Sequence, residues 1–226
     1  MADHEYRINV YTDILRKDAA NTYQEIAKLG ANKKWMELID ILQGNEGMVN
    51  SSQLPDRNGQ QTSLFTPLHY AADGKAPKEI FEKLLKLGSS KCLKTSAGET
   101  AYDIGKRKGL DQDILELIKV PKHVKQNEQQ IQAMEAGLHN VIKGRVEDLI
   151  KKNGQALPQI SILFENNGDH GSFYYPVPGM YGGFNVHVVD KGIQADSWIR
   201  VCGGSEENHL IEKDGKVTLL PNDNPL

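Results

Sequence analysis

Apolar positions in the first 120 residues recur in paired short runs separated by polar, glycine-containing connections. Within each run they stand three and four apart, the spacing that puts them on one side of a helix. Three segments opening at Thr22, Thr66 and Thr100 can be superposed. Ala27, Ala71 and Gly105 fall at one offset from those threonines, and Ile26, Tyr70 and Ile104 at the position before. Small residues at a fixed offset let two helices approach closely. In the second helix of each pair, Ile80, Phe81 and Leu84 match Ile114, Leu115 and Ile118, while Leu38, Ile41 and Leu42 fit only after a one-residue slip. The pattern predicts three stacked helix pairs. Ile8, Val10, Ile14 and Leu15 ahead of them suit a short helix covering the open end.

The middle segment carries Thr66-Pro67-Leu68-His69-Tyr70-Ala71-Ala72. Thr66 can cap a helix with its hydroxyl, and Pro67 suits the first helical position, where no N–H is needed. His69 can hydrogen-bond the cap of its own or an adjacent repeat. The stretch resembles the opening of an ankyrin repeat, whose signature is T-P-L-H-x-A and whose period is about 33 residues. Thr66 and Thr100 are 34 residues apart, Thr22 and Thr66 are 44, and the excess lies between one helix pair and the next. The outer segments are degenerate, with Thr22-Tyr23-Gln24-Glu25 and Thr100-Ala101-Tyr102-Asp103 in place of the signature. Terminal repeats are expected to depart from it, since they present a polar outer face.

The extra residues form a polar, turn-rich insertion at 45–64, with Pro55-Asp56-Arg57-Asn58-Gly59 at its middle. It reads as a long projecting finger, either a tolerated surface insertion or a partner-contacting loop. The resemblance implies protein binding through hairpin tips and the concave helix face. That assigns Asp56, Arg57 and Asn58 in the finger, and Lys94 and Ser96 in the 94–98 hairpin, as partner-binding candidates.

After Val120 the pattern changes. Pro121 ends the last repeat helix, and a basic-polar run follows at 122–130. Met134, Leu138, Val141, Ile142, Leu149 and Ile150 then predict a helix over 127–152 that joins the two halves, with Gly154 able to terminate it. A helix pair broken at Gly144 is the alternative. Beyond Pro158, segments 160–164, 172–177, 184–189, 197–203, 209–212 and 216–220 are rich in β-branched and aromatic residues and divided by Gly, Asn, Asp and Pro. They predict a small antiparallel sheet or partial barrel, with hairpin turns at Asp190-Lys191-Gly192 and Asp214-Gly215. Alternation places Phe184, Val186 and Val188 opposite Asn185, His187 and Val189, and Trp198, Arg200 and Cys202 opposite Ile199 and Val201.

Two stretches, 176–184 (PVPGMYGGF) and 197–205 (SWIRVCGGS), resemble a small bacterial and fungal domain of undefined activity that has a helix and a Leu-Pro segment ahead of it. The likeness spans 127–220 and departs at Glu206-Glu207-Asn208, where more basic residues are the rule. It implies a domain boundary and no particular chemistry. From the strand pattern itself, His187, Arg200, Ser205 and His209 form a possible ligand pocket. In it Arg200 would hold an anionic group, backbone N–H groups of the Gly203-Gly204-Ser205 turn would assist, and a histidine would move a proton.

Composition narrows the remaining classes. A net charge of −3 provides no basic footprint for nucleic acid or an anionic membrane surface. Cys92 and Cys202 stand far apart, against both a disulfide framework and a thiolate zinc site, which favours a reducing, cytoplasmic compartment. The start lacks an apolar signal-type core, and no apolar run is long enough to span a bilayer. Phosphate-loop, H-E-x-x-H, EF-hand and G-x-S-x-G motifs do not occur. The expectation is an α+β chain: an ankyrin solenoid of about three repeats at 1–120, a linker and long amphipathic helix at 121–158, and a β-rich domain at 159–226. Its expected role is non-catalytic binding of an unidentified protein, with no metal, cofactor, nucleic acid or membrane involved. The alternative is a ligand-binding or enzymatic β domain that the repeats recruit to its target.

Overall fold

Pro67 opens a helix behind Thr66 in the computed structural model, which describes residues 4–5, 9–59, 62–166, 171–200 and 205–221. The chain divides into two units, Asn9–Pro121 and Lys122–Leu226, the second joined by residues 1–8.

In the first unit α1 (Lys17–Ala31) pairs with α2 (Trp35–Gln43), α3 (Pro67–Gly74) with α4 (Lys78–Lys86), and α5 (Ala101–Lys108) with α6 (Gln112–Ile118). α3 packs between α1 and α5, and α4 between α2 and α6, so the pairs stack in two rows. Missing side chains make this possible. A Cβ on Gly30 would lie 2.7 Å from the Tyr70 ring, and one on Gly74 would lie 2.8 Å from the Trp35 ring. Between the rows Leu38, Leu42, Leu68, Phe81, Leu84 and Ile104 are wholly buried. Thr66 and Thr100 cap α3 and α5 through capping boxes completed by His69 and Asp103. Lys75 and Gly109 then end those helices in left-handed conformations, at φ 53° and 72°.

Three expectations for this unit are corrected. Thr22 does not open its segment: α1 begins at Lys17, and the Thr22 hydroxyl donates to Asp18 O at 3.1 Å inside the helix. Without Thr-Pro ahead of it, this segment carries no local start signal at Thr22, and the amphipathic run extends backward to Lys17. In α2 the buried set is Leu38, Ile39 and Leu42, so it lines up with Ile80, Phe81 and Leu84 in a different phase from the one expected. The insertion at 45–64 does not project as a finger. Val49, Ser51 and Leu54 are buried, and the Thr12 N–H donates to Pro55 O at 3.0 Å. The amides of Asn9 and Gln24 donate to Gln53 O and Leu54 O, while Asn50 takes the Ser90 N–H at 2.7 Å and donates to Gly88 O at 3.1 Å. At the open end, a single 3-10 turn, Thr12–Ile14, precedes α1.

The second unit starts with α7 (Lys122–Gln126) and α8 (Glu128–Asn153). α8 leaves helical geometry at Val146 (φ −143°, ψ 26°), next to Gly144, so the expected long helix is two helices meeting at a kink. Gly154 ends it with φ 58°. α8 packs on a sheet in which β1 (His4–Glu5), β2 (Ser172–Pro176), β3 (Tyr181–Val189), β4 (Gly192–Arg200), β5 (Ser205–Glu212) and β6 (Val217–Leu220) are ordered 1-2-3-4-5-6. β2 to β6 form an antiparallel meander, and β1 pairs parallel to β2. Gly137 sets the contact with the sheet, because a Cβ there would lie 2.7 Å from Ile211 Cγ2 and 2.9 Å from Gly215 O. Residues 160–164 are a 3-10 helix, not a strand. Ile160 and Leu163, three apart, bury together, and the Ile160 N–H donates to the Glu135 carboxylate at 2.8 Å.

Candidate functional site

In the first unit the five partner-binding candidates divide into residues that hold the backbone and residues that face outward. Asp56 Oδ1 accepts from the Thr12 hydroxyl at 2.7 Å. Arg57 Nε donates to Asp13 Oδ2 at 2.6 Å, and its guanidinium carbon lies 4.8 Å from the centre of the Tyr11 ring. These two link the loop to the turn ahead of α1. Asn58 and Ser96 are exposed and Lys94 is half-buried. The Ser96 N–H donates to Ser63 O at 2.8 Å, which joins the segment entering α3 to the hairpin entering α5.

In the second unit the proposed pocket of His187, Arg200, Ser205 and His209 does not form. Strand register decides this: Ala195 pairs with His209 and Ile199 with Ser205, on the face that packs on α8, whereas His187 pairs with Gln194 and Tyr181 with Arg200 on the other face. His187 Nδ1 lies 3.6 Å from Asp196 Oδ2, and Arg200 is exposed. The face assignments made from alternation hold for every described residue, and Phe184, Val186 and Ile199 are buried on the α8 side. Val201, Cys202, Gly203 and Gly204 lie outside the described residues.

The cation that does meet Ser205 and His209 is Arg145, on α8 immediately before the kink. Its Nη1 donates to the Ser197 hydroxyl and to Ser197 O at 3.3 Å. Its Nη2 donates to Ser205 O at 3.1 Å and Ser205 Oγ at 2.6 Å, and lies 3.4 Å from Glu207 Oε1. Ser197 is buried and in turn donates to Glu207 O at 2.9 Å. One guanidinium therefore ties α8 to both β4 and β5, using the fork of donors that lysine lacks. Its side chain is only 7% exposed, and burial pushes its pKa below the usual arginine range, opposed by Glu207.

Beside it His209 Nε2 lies 3.6 Å from Glu207 Oε2, and among the described residues its buried Nδ1 has no hydrogen-bond partner. Burial, then the neighbouring Arg145, hold this imidazole below the ordinary histidine pKa, and Glu207 acts the other way. Asn140, Gly144 and Val217 complete a cleft around these groups. A neutral imidazole backed by a carboxylate and a cation can orient a small polar ligand and exchange a proton with it. Sequence reasoning missed Arg145. Its signal is an arginine in phase with the apolar stripe of Leu138, Ile142 and Leu149, where a charge has to find partners across the packed face.

Among the described residues no group of His, Cys, Asp and Glu is arranged to hold a metal ion, and no helix is long and apolar enough to cross a membrane. Comparison with protein-family models, curated proteins and solved structures finds no match for this chain.

Proposed function

We propose that the chain is a protein-interaction module of the ankyrin-repeat kind, acting in a reducing, cytosolic-type compartment. Its partner contacts the concave row formed by α1, α3 and α5 together with the loop tips. The observation that carries this reading is the 2.8 Å bond from the Ser96 N–H to Ser63 O. It ties the hairpin entering α5 to the segment entering α3, and the Thr12–Asp56 bond fixes the backbone beside Asn58, so the outward side chains of Ser96 and Asn58 meet a partner at little ordering cost. A photo-crosslinking amino acid placed at Asn58 or Ser96 should trap a discrete partner from native extract. The same group at Glu82, exposed on α4 in the other row, should trap none. Equal labelling at all three positions, or none at 58 and 96, would move the interface elsewhere.

A second reading has the C-terminal unit bind or transform a small ligand while the repeats recruit its target. The buried Nδ1 of His209, without a hydrogen-bond partner among the described residues and beside Arg145 and Glu207, favours it. A metabolite that raises the melting temperature of the wild type and leaves a folded His209→Asn variant unmoved would support it.

A further inference from the structure

The face of the sheet turned away from α8 is the unusual surface of the second unit. Along an antiparallel sheet with one covered face, the open face is normally polar. Here Tyr181 is 79% exposed, Trp198 49% and Tyr174 38%, and all three stand on that face. Glycine opens space between them. Gly183 pairs with Trp198, and the phenol end of Tyr174 lies over it, so that a Cβ on Gly183 would meet Tyr174 Cζ at 2.9 Å and Oη at 2.8 Å. The rings thus run across β2, β3 and β4 with no side chain raised between Tyr174 and Trp198.

Each ring has a hydrogen-bonding side chain at its cross-strand position. Asn185 stands opposite Tyr174, Arg200 opposite Tyr181, and Glu206 opposite Trp198. Asp196 adds a further acceptor, held in place by the Gln194 amide at 2.8 Å. A protein-binding face concentrates apolar area and sheds charge at its centre, and this one places a polar or charged group beside every ring. A single-stranded nucleic acid would also stack on aromatic rings, yet it needs a cationic surround. On this face Arg200 stands among Asp196, Glu206 and Glu212, and the neighbouring His187 and Lys216 lie against Asp196 at 3.6 Å and Glu212 at 3.8 Å, so no cationic surround is assembled. The ligand chemistry that fits is uncharged, with flat C–H faces for the rings and a hydroxyl rim for the amide, guanidinium and carboxylates.

We infer that the open face of β2, β3 and β4 binds a neutral oligosaccharide, with Tyr174, Tyr181 and Trp198 as the stacking platform and Asn185, Asp196, Arg200 and Glu206 taking the hydroxyls. The site lies on the opposite side of the sheet from the Arg145 cleft and does not depend on the repeat surface. The test is saturation-transfer NMR and calorimetry on the full chain with cellohexaose, laminarihexaose, maltohexaose and chitohexaose, alongside a dT10 oligonucleotide and sedimentation of the protein alone. At least one hexasaccharide should bind. Trp198→Ala should weaken it about tenfold or more, the scale of one lost aromatic stack, while Trp198→Tyr restores most of the affinity. Glu82→Ala, exposed on α4 in the first unit, supplies the control: saccharide affinity should be unchanged. The inference is overturned by silence across all four saccharides, by binding that survives Trp198→Ala with Tyr181→Ala, by dT10 binding in their place, or by self-association that those two substitutions abolish.

Discussion

The Thr66 backbone N–H donates to Nδ1 of His69 at 3.1 Å, and this one bond decides where the imidazole carries its proton. With Nδ1 accepting, the proton sits on Nε2, which donates to Leu93 O at 3.1 Å. The ring thus closes the capping box of α3 and reaches the following hairpin at once, and it must be neutral to do both. Burial lowers its pKa from 6.5 to about 4.

Because the folded value lies below the unfolded one, the unfolded chain takes up protons first as pH falls. The stability held by neutral His69 is complete above about pH 6.5 and is lost between there and about pH 4, a loss of about 3 kcal/mol at 1.36 kcal/mol per unit. His209, also depressed, contributes in the same direction. Urea unfolding of wild type and His69→Asn at pH 7.5, 6 and 5 separates the two. The variant should start less stable and lose less on acidification, and parallel pH profiles would contradict the assignment.

The insertion at 45–64 should owe its order to Leu54 and not to its ion pair. Leu54 is 1% exposed, and truncation to alanine is expected to cost roughly 2 to 5 kcal/mol. Arg57 and Asp13 are about half exposed, so water screens them and Arg57→Ala should cost at most about 1 kcal/mol. Thermal unfolding of the two variants reads the difference. A larger effect for Arg57 would mean that the cation over Tyr11, and not the apolar anchor, holds the loop.

Arg145→Lys should behave nearly as badly as Arg145→Met. A lysine ammonium can reach Ser197 or Ser205, but it lacks the planar fork that serves both strands. Losing hydrogen bonds from a charged donor costs about 1.5 to 3 kcal/mol each before any relaxation. Near-wild-type melting of the lysine variant would show that the guanidinium geometry is unimportant.

Gly182→Ala should disrupt the β3–β4 hairpin. Gly182 adopts φ 121°, a conformation L side chains rarely enter, and a Cβ there would overlap Trp198 O. Amide exchange across 181–200 should rise sharply in the variant while the first unit stays protected, and unchanged protection would contradict the pairing of Gly182 with Ile199.

Local chemistry made the helical core of the first unit and the strand faces legible without coordinates. Thr66-Pro67 marks a helix start and alternation marks which side of a strand meets the core, because each depends only on neighbours a few positions away. The same reasoning misread 160–164, since a short apolar run has no period long enough to separate a strand from a 3-10 turn, and packing on α8 chose between them. It also misjudged the insertion, because the polar side chains that look like a solvated finger were read without the distant carbonyls and amides that bind them. Only tertiary structure separated Arg200 and His187 from Ser205 and His209. Alternation tells which residues of one strand share a face, but the offset between two strands fixes which faces coincide, and a shift of one residue reverses the answer. That register is settled by strand pairing, and the meeting of Arg145 with Ser197 and Ser205 by contacts between residues 52 to 60 positions apart.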